Sequence, residues 1–162
     1  MASITQVGMK SSWSPQTAEM VLKFTDDSAG GAAGTYAADV SIPAGAYVID
    51  VQIHGVALWN AGTSASLEVG DADDANLYYT AVNCKATDLA AGEVLSFGHD
   101  GGTLGVGNTD DNGLIAGYQS AFRQIKASLV CAGTVCTTGE TRIVVVWIKP
   151  TDSVTSSFTA AE

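Results

Sequence analysis

The strongest alternation of apolar and polar residues in this chain runs from Tyr47 to Trp59. Large apolar side chains occupy every second position of its first half: Tyr47, Ile49, Val51 and Ile53. The positions between them hold mainly polar residues: Val48, Asp50, Gln52 and His54. A period of two predicts a β-strand with one buried and one wetter face, because successive side chains of a strand point to opposite sides.

Short turns bound this strand on both sides. Ile42-Pro43-Ala44-Gly45 precedes it and has the composition of a turn, because proline presets φ and glycine tolerates positive φ. Asn60 to Gly62 turns the chain again, and Ser64 to Val69 returns as a second alternating strand. The whole stretch from Ser41 to Tyr79 therefore predicts strands and turns without a helix.

Seven further segments are predicted to be strands, at residues 19–24, 36–42, 77–82, 94–98, around 104–106, 120–131 and 142–149. In the first of them, one face is expected to carry Met20, Leu22 and Phe24. In the segment 120–131, the expected core side carries Ile125, Ala127 and Leu129. Residues 143–148 read Ile-Val-Val-Val-Trp-Ile, a run that favours a central strand buried on both faces, and Pro150 ends it.

About nine short strands with glycine-rich connections predict an all-β fold, a single antiparallel β-sandwich of jelly-roll-like form. We expect residues 1–17 to form an N-terminal arm or edge strand and residues 18–150 to form the β-sandwich domain. Residues 151–162 are expected to be a polar C-terminal tail. A chain of 162 residues is long enough for one domain with a real core.

The net charge of the chain indicates which classes of partner it is expected to bind. Seven basic residues stand against 17 acidic ones, giving a net charge of −10. Such a surface repels phosphate backbones, so a nucleic-acid partner is not expected. The N-terminus lacks the apolar core of a signal peptide, and no apolar stretch reaches the roughly 20 residues of a membrane span. We therefore expect synthesis in the cytoplasm and no membrane partner.

The chain has three cysteines, Cys84, Cys131 and Cys136. An odd number in a chain of this length is not typical of a secreted disulfide framework. Cys131 and Cys136 lack the second ligand pair that a zinc site needs, and a bridge between them depends on geometry. We expect three free, buried thiols, because free cysteine commonly behaves as a small hydrophobe.

An acidic segment, Asp71 to Asn76, raises the question of a cation site. Read as a twelve-residue calcium loop from Asp71, it has Asn76 where glycine is required and Val82 where glutamate is required. A solvated turn is therefore expected here, with a looser oxygen cage around Asp71, Asp73 or Asp74 as the alternative. The segment Asp110-Asp111-Asn112-Gly113 is interpreted in the same way.

The sequence contains few residues in patterns typical of catalysis. His54 and His99 are the two histidines, and neither belongs to a recognisable nucleophile motif. Glu68 and Glu93 could contribute to a carboxylate pair for glycoside hydrolysis, but their spacing in sequence does not select one. Gly105-Val106-Gly107 lacks the third glycine of a dinucleotide site. We assign no catalytic, metal or cofactor residue and predict that the protein is not an enzyme.

The aromatic residues Trp13, Trp59, Tyr78 and Tyr79 have three open interpretations. They fit a sandwich core, anchors of a subunit interface, or a platform for sugar rings. Exposure of Trp59 or Tyr78 would favour the platform, whereas burial of both would count against it.

The turns and strands of the central stretch resemble small virion structural proteins of tailed bacteriophages, several of which are capsid decoration, or cement, proteins. The segments that carry this resemblance are Ile42 to Ala46, Val48 to Ile53, Asn60 to Thr63 and Leu67 to Asp74. The similarity covers Ser41 to Tyr79 and the closing strand Ile143 to Pro150. It rests on turn and strand composition and includes no catalytic signature.

This resemblance implies a non-enzymatic virion structural protein that is made in the host cytoplasm and resides on the capsid surface. A decoration or cement protein of this kind would bind the major capsid protein, self-associate as a homotrimer and bridge neighbouring capsid subunits. Two alternatives stay open: a carbohydrate-binding fibre or spike module that contacts host glycans, and a structural component of the tail or connector.

Overall fold

A computed structural model of the chain describes residues 14–26, 34–99, 103–105 and 118–149. These ranges contain eight strands: β1 Gln16–Lys23, β2 Thr35–Ile42, β3 Tyr47–Ala57, β4 Ser64–Gly70, β5 Tyr79–Asn83, β6 Val94–Leu95, β7 Arg123–Ala132 and β8 Glu140–Ile148. A single 3₁₀ turn, Phe24–Asp26, follows β1, and no α-helix occurs within the described ranges. Of the predicted strand around residues 104–106, Leu104 makes an isolated bridge with Tyr79, and Val106 lies outside the described residues.

The strands form two four-stranded sheets. The first sheet has the order β1-β8-β3-β6, the second has the order β2-β7-β4-β5, and every neighbouring pair is antiparallel. The predicted all-β antiparallel sandwich is therefore confirmed. The first strand pairs with the last, the second with the seventh, the third with the sixth and the fourth with the fifth. This nesting is compatible with a jelly roll, which stays a prediction.

The register defines two ends of the sandwich. At the first, which we call the terminal end, Gln16 lies opposite Trp147 and Tyr47 lies opposite Ile148. Both the beginning of β1 and the end of β8 therefore lie there. The other end, called the loop end, holds the β3–β4 connection at residues 58–63 and the β7–β8 connection at residues 133–139.

β1 is an edge strand of the first sheet and begins within the segment predicted as an arm or edge strand. The predicted boundaries at residues 17 and 150 stay predictions, because residues 1–13 and 150–162 lie outside the described ranges.

The core fills the space between the inner faces of the two sheets. The predicted core side of β7 is confirmed, because Ile125, Ala127 and Leu129 are all buried. The inward face of β4 is likewise buried, with Ala65, Leu67 and Val69 shielded from solvent. On the first sheet, the corresponding residues include Val51, Ile53, Ile143 and Val145. Burial of these apolar surfaces supplies the main driving force that brings the two sheets together.

The predicted burial of Tyr47 and Ile49 is wrong. Both side chains are exposed, whereas Val48 between them is completely buried. The cause is a register shift between Val48 and Asp50, where β3 bulges against β8. A β-bulge inserts one residue and changes which side chains face inward. Val51 and Ile53 lie beyond the bulge and are buried as the alternation predicts.

Two other burial predictions need correction. Phe24 does not share the buried face of Met20 and Leu22, because the chain leaves β1 at Lys23 and Phe24 starts the 3₁₀ turn. β8 is central, between β1 and β3, but it is not buried on both faces. Val144 and Val146 point away from the core and are only half-buried, because a two-layer sandwich covers one face of each sheet.

Trp59 is the central side chain of the loop end. Its indole Nε1 donates a hydrogen bond to Thr141 Oγ1 of β8 at 2.9 Å. Its ring contacts Tyr36 of β2, with 4.6 Å between the ring centroids. Trp59 therefore contacts both sheets at once. The next residue, Asn60, accepts hydrogen bonds from the backbone N–H groups of Thr137 and Thr138 at 2.8 and 3.1 Å.

Gly139 is the position where this arrangement leaves no room for a side chain. A Cβ atom at Gly139 would lie 2.3 Å from Trp59 Cδ2, and the backbone φ of +150° is a value that favours glycine. We expect Gly139→Ala to lower the free energy of unfolding by about 3 kcal/mol through overpacking and backbone strain. Urea unfolding followed by tryptophan fluorescence measures this change.

Gly98→Ala is the matched control for this substitution. A Cβ there meets no atom within 4 Å, so the stability should change by less than about 0.5 kcal/mol. Equal stability of the two variants would contradict the described contact between Gly139 and Trp59.

Candidate interaction surface

A group of exposed apolar side chains lies at the terminal end. We call it the apolar rim and define it as Tyr47, Ile49, Tyr118 and Phe122. Phe122 is 62% exposed and Tyr118 is 49% exposed, which is unusual for aromatic side chains in a folded domain. The rings of Tyr47 and Tyr118 contact each other with centroids 4.7 Å apart. Exposed apolar groups that cluster in this way are typical of an interaction surface.

The backbone fixes the rim from two sides. The β2–β3 turn contains Gly45 with a positive φ of 77°, and its N–H donates to the carbonyl of Gln119 at 2.9 Å. This hydrogen bond joins the turn to the segment that precedes β7. Tyr118 then forms an isolated antiparallel bridge with Tyr47. On the other side, the bulge in β3 directs Ile49 outward.

The outer faces of the two sheets differ in character. On the first sheet, Tyr47 of the rim lies opposite Ile148, and the outward positions of β8 continue with Val146 and Val144. On the second sheet, outward positions are mainly small or polar: Asp39 opposite Lys126, Ser41 opposite Gln124, and Glu68 opposite Ser128. The apolar rim is therefore continuous with the outer face of the first sheet.

A buried polar cluster also lies near the terminal end. Arg123, at the start of β7, is only 4% exposed, and its Nη1 donates to the hydroxyl of Tyr78 at 2.7 Å. Burial raises the pKa of Tyr78 to about 12, the nearby Arg123 charge opposes this shift, and Asp71 adds to it. The Tyr78 hydroxyl therefore stays protonated at neutral pH and holds the guanidinium group in place.

Asp71 organises the turn in which a cation site was considered. Its Oδ1 accepts hydrogen bonds from the backbone N–H groups of Asp73 and Asp74 at 2.9 and 3.0 Å. This geometry is that of an aspartate-stabilised turn. Across the described residues, no three His, Cys, Asp or Glu side chains gather closely enough to hold a metal ion. The second acidic segment, Asp110 to Gly113, lies outside the described residues, as does Gly107.

The residues considered for catalysis are divided between the two sheets. Glu68 is on β4 of the second sheet, whereas His54 is on β3 of the first sheet. Glu93 lies next to β3, because its carbonyl accepts the N–H of Gly55, but its carboxylate accepts the N–H of Ala90 at 2.7 Å. His99 is exposed in a tight turn, where it exchanges backbone hydrogen bonds with Ser96.

The aromatic residues considered for sugar binding are in the core. Trp59 is 2% exposed, and Tyr78 and Tyr79 are fully buried. The hydroxyl of Tyr79 donates to the carbonyl of Val51 at 2.8 Å, which ties β5 to the first sheet. Burial of both Trp59 and Tyr78 counts against a flat glycan platform. Trp13 lies outside the described residues.

All three cysteines are buried and none forms a disulfide in the structure, as the sequence predicted. Burial raises the pKa of Cys84 to about 12, while a hydrogen bond with Thr141 opposes the shift and the charge of Asp88 adds to it. The Cys84 Sγ also lies 3.7 Å from the carbonyl of Val82, as a weak donor. Cys84 is therefore an unreactive core residue at neutral pH, because the nucleophile is the thiolate.

Two members of the apolar rim were not identified from the sequence. Phe122 falls on the non-core face of the predicted strand 120–131, opposite to Ile125 and Leu129. A large aromatic residue on the solvent-facing side of a predicted strand indicates a candidate interface, so the sequence contained evidence for Phe122. Tyr118 precedes the strand and has no comparable pattern around it, so only the tertiary contact with Tyr47 reveals its place.

Comparison with known proteins returns similarities of structure only. No protein-family model matches the chain, and no curated protein matches it. A chain in the acidic stable capsid structure of Helicobacter pylori bacteriophage KHP30 aligns with a TM-score of 0.54 and 18% identity, covering 85% of this chain and 89% of that one. A chain in the capsid asymmetric unit of cyanophage Pam1 aligns with a TM-score of 0.54 and 17% identity, covering 93% and 94%.

These similarities show that the chain shares its fold, over most of its length, with chains of two phage capsid structures. They agree at the level of the fold with the resemblance to phage virion structural proteins that the sequence suggested. Among the described residues, the structure contains no helix with the length and apolar character needed to cross a bilayer.

Removing the Tyr78 hydroxyl tests the buried polar cluster. Tyr78→Phe leaves the buried Arg123 without the oxygen that its Nη1 contacts, so the free energy of unfolding should fall by about 1.5–3 kcal/mol. Tyr118→Phe removes the same atom from a side chain that is 49% exposed and should change stability by less than about 0.5 kcal/mol. Chemical denaturation of both variants gives the comparison, and similar losses would contradict the role of the cluster.

Stability should also fall at alkaline pH. The Cys84 pKa rises from its ordinary value of 9.0 to about 12, and that of Tyr78 rises from 10.0 to about 12. Above pH 9 the unfolded chain therefore releases a thiol proton that the folded chain retains, and above pH 10 the same holds for Tyr78. Each group should lower the unfolding free energy by up to about 1.4 kcal/mol per pH unit, until pH 12 is reached.

Urea titrations between pH 7 and 11 measure this dependence. Cys84→Ala should remove the part of the slope that begins near pH 9, and Tyr78→Phe should remove the part that begins near pH 10. An unchanged slope in both variants would show that other groups cause the loss of stability.

Proposed function

We propose that this protein is a structural component of a bacteriophage virion and has no enzymatic role. The observation that carries the proposal is the shared fold, which extends over 85% and 93% of this chain in the two phage capsid structures. Glu68 lies on a different sheet from His54, which supports the non-enzymatic part of the proposal. The protein would be made in the host cytoplasm and would reside in the virion.

More specifically, we infer a capsid decoration, or cement, protein that binds the outer shell and bridges subunits of the major capsid protein. An exposed apolar surface supports this role, because the rim and the outer face of the first sheet are available for contact. Tyr and Phe are the residue types that anchor protein interfaces, and the four rim residues provide three of them. We further propose that the protein forms a homotrimer, because a trimer would make three times as many contacts with the shell as a single copy.

The position of the rim supports this arrangement. Residues 14 and 149, the outermost described positions of the chain, lie at the same end of the sandwich as the rim. The segments 1–13 and 150–162 are therefore attached where a partner would contact the rim. A standard interface buries about 1,200–2,000 Å² in total, and terminal segments can add to such an area.

A tail or connector component is the second candidate, because the shared fold is compatible with it. A carbohydrate-binding fibre or spike module is less well supported, since the two side chains that the sequence suggested for its platform, Trp59 and Tyr78, are buried. The number of copies of the protein per particle distinguishes a decoration protein from a tail or connector component. Hundreds of copies on the shell would indicate decoration, and a dozen or fewer would indicate a tail or portal component.

The test uses particles of the phage that encodes this chain, prepared without the protein. Added wild-type protein should bind the shells in hundreds of copies and raise the temperature at which they disrupt. Light scattering should give the free protein a mass three times the chain mass of 16.5 kDa. Shells that lack the protein and resist heat and mechanical stress as well as complete ones would overturn the bridging role.

A double variant tests the rim itself. Tyr118→Ser combined with Phe122→Ser should weaken binding to the shells at least about tenfold, because exposed aromatic anchors commonly contribute more than 1 kcal/mol each. Val135→Ser is the control: this residue is 47% exposed but lies at the loop end, so its replacement should leave binding unchanged. Equal binding by the double variant and the control variant would show that the shell contacts a surface other than the rim.

A further inference from the structure

We propose that Cys131 and Cys136 form an intrachain disulfide when the folded protein meets a disulfide oxidant. Cys131 is on β7 and faces the core, and Cys136 lies in the β7–β8 connection. Both side chains are buried, and their Sγ atoms are 2.7 Å apart. This separation is within about 0.7 Å of the length of a disulfide bond, so a small movement of one side chain would suffice.

The backbone brings the two sulfur atoms together without the help of a bond between them. Gly133 has a positive φ of 93° and turns the chain immediately after β7. The Ala132 carbonyl accepts the N–H of Thr63 at 2.8 Å, which fixes the start of the connection. Its later part is fixed by Asn60, whose side chain accepts the N–H groups that follow Cys136. The geometry for pairing is thus set by contacts with the β3–β4 connection.

The reaction is a thiol–disulfide exchange with a low-molecular-weight disulfide such as oxidised glutathione. The thiolate of Cys136 attacks one sulfur of the oxidant and releases one glutathione thiolate, which takes up a proton. Cys131, as its thiolate, then attacks the Cys136 sulfur of the mixed disulfide and releases the second glutathione. The protein loses two electrons and two protons, and one oxidised glutathione becomes two reduced ones.

Cys136 is the sulfur that the oxidant reaches first. Residues 133–135 and 137–138 of the connection are exposed on both sides of Cys136, with Val135 at 47% exposure. Cys131 belongs to a central strand of the second sheet and is completely enclosed. Local opening of the connection therefore exposes Cys136, and its closure returns the mixed disulfide to Cys131.

The bond would reinforce the loop end. The residues that directly follow Cys136 are Thr137 and Thr138, which bind Asn60, and Gly139, which lies against Trp59. A phage particle passes from a reducing cytoplasm to an oxidising medium when the host lyses, and this setting rests on the proposed function. The disulfide itself does not rest on it and is tested on the isolated protein.

The experiment uses purified full-length protein, reduced and then treated with oxidised glutathione under native conditions. After denaturation and alkylation, we expect one reactive thiol in place of three, and an intact mass about 2 Da lower. Trypsin separates the sites, because cleavage after Lys23 and Lys85 yields a peptide with Cys84, and cleavage after Lys126 and Arg142 yields one with Cys131 and Cys136. The second peptide should carry the mass loss and resist alkylation.

Thermal unfolding provides a second readout on the wild-type chain alone. The oxidised protein should unfold at a temperature roughly 4–8 °C above that of the reduced protein, since closing a short loop restricts the unfolded chain. Cys136→Ala should abolish this difference between oxidised and reduced samples, whereas Cys84→Ala should preserve it. Three reactive thiols after oxidation, a lasting glutathione adduct, or a mass loss that involves Cys84 would each overturn the proposal.

Discussion

Trp59 is the side chain on which the two-layer structure most depends. Its indole N–H is satisfied by Thr141 of the first sheet, and its ring is covered by Tyr36 of the second sheet. Burying an indole is favourable only when its N–H finds a partner, so the apolar contact and the hydrogen bond must form together. This requirement fixes the β3–β4 connection relative to both sheets. It also explains why residue 139, which faces the ring, must be glycine.

The two ends of the sandwich differ in how their side chains are hydrogen-bonded and exposed. At the loop end, Asn60 satisfies backbone N–H groups of the neighbouring connection, and Lys85 Nζ donates to the carbonyls of Ala61 and Gly62. These polar groups therefore form hydrogen bonds within the chain. At the terminal end, the buried Arg123 donates a hydrogen bond to Tyr78, while the aromatic side chains of the apolar rim remain exposed. Apolar side chains such as Leu58 and Val135 are exposed near the loop end as well, so the terminal end is distinguished by its contacting pair of exposed rings, Tyr47 and Tyr118.

The sequence predicted the sandwich well because its strands alternate strictly where one face is buried. The core side of β7 and the inner face of β4 follow directly from such alternation. Tyr47 and Ile49 could not be placed in this way, because a bulge depends on pairing with β8 and leaves the local pattern unchanged. The same reason hides the candidate interaction surface, because Tyr118 contacts Tyr47 only after the strands have paired. The buried Tyr78 and Arg123 likewise belong to distant segments, so their hydrogen bond is a property of the fold.

Charge and apolar surface act over different distances in this molecule. A net charge of −10 makes copies of the chain repel one another, but at physiological salt this repulsion is screened beyond about 8 Å. Apolar contact acts only when surfaces touch, and it then grows with the area removed from water. A second copy must therefore match the apolar surface in shape closely enough for the contact to overcome the repulsion. An acidic surface that also carries the apolar rim thus favours a specific assembly over unspecific aggregation.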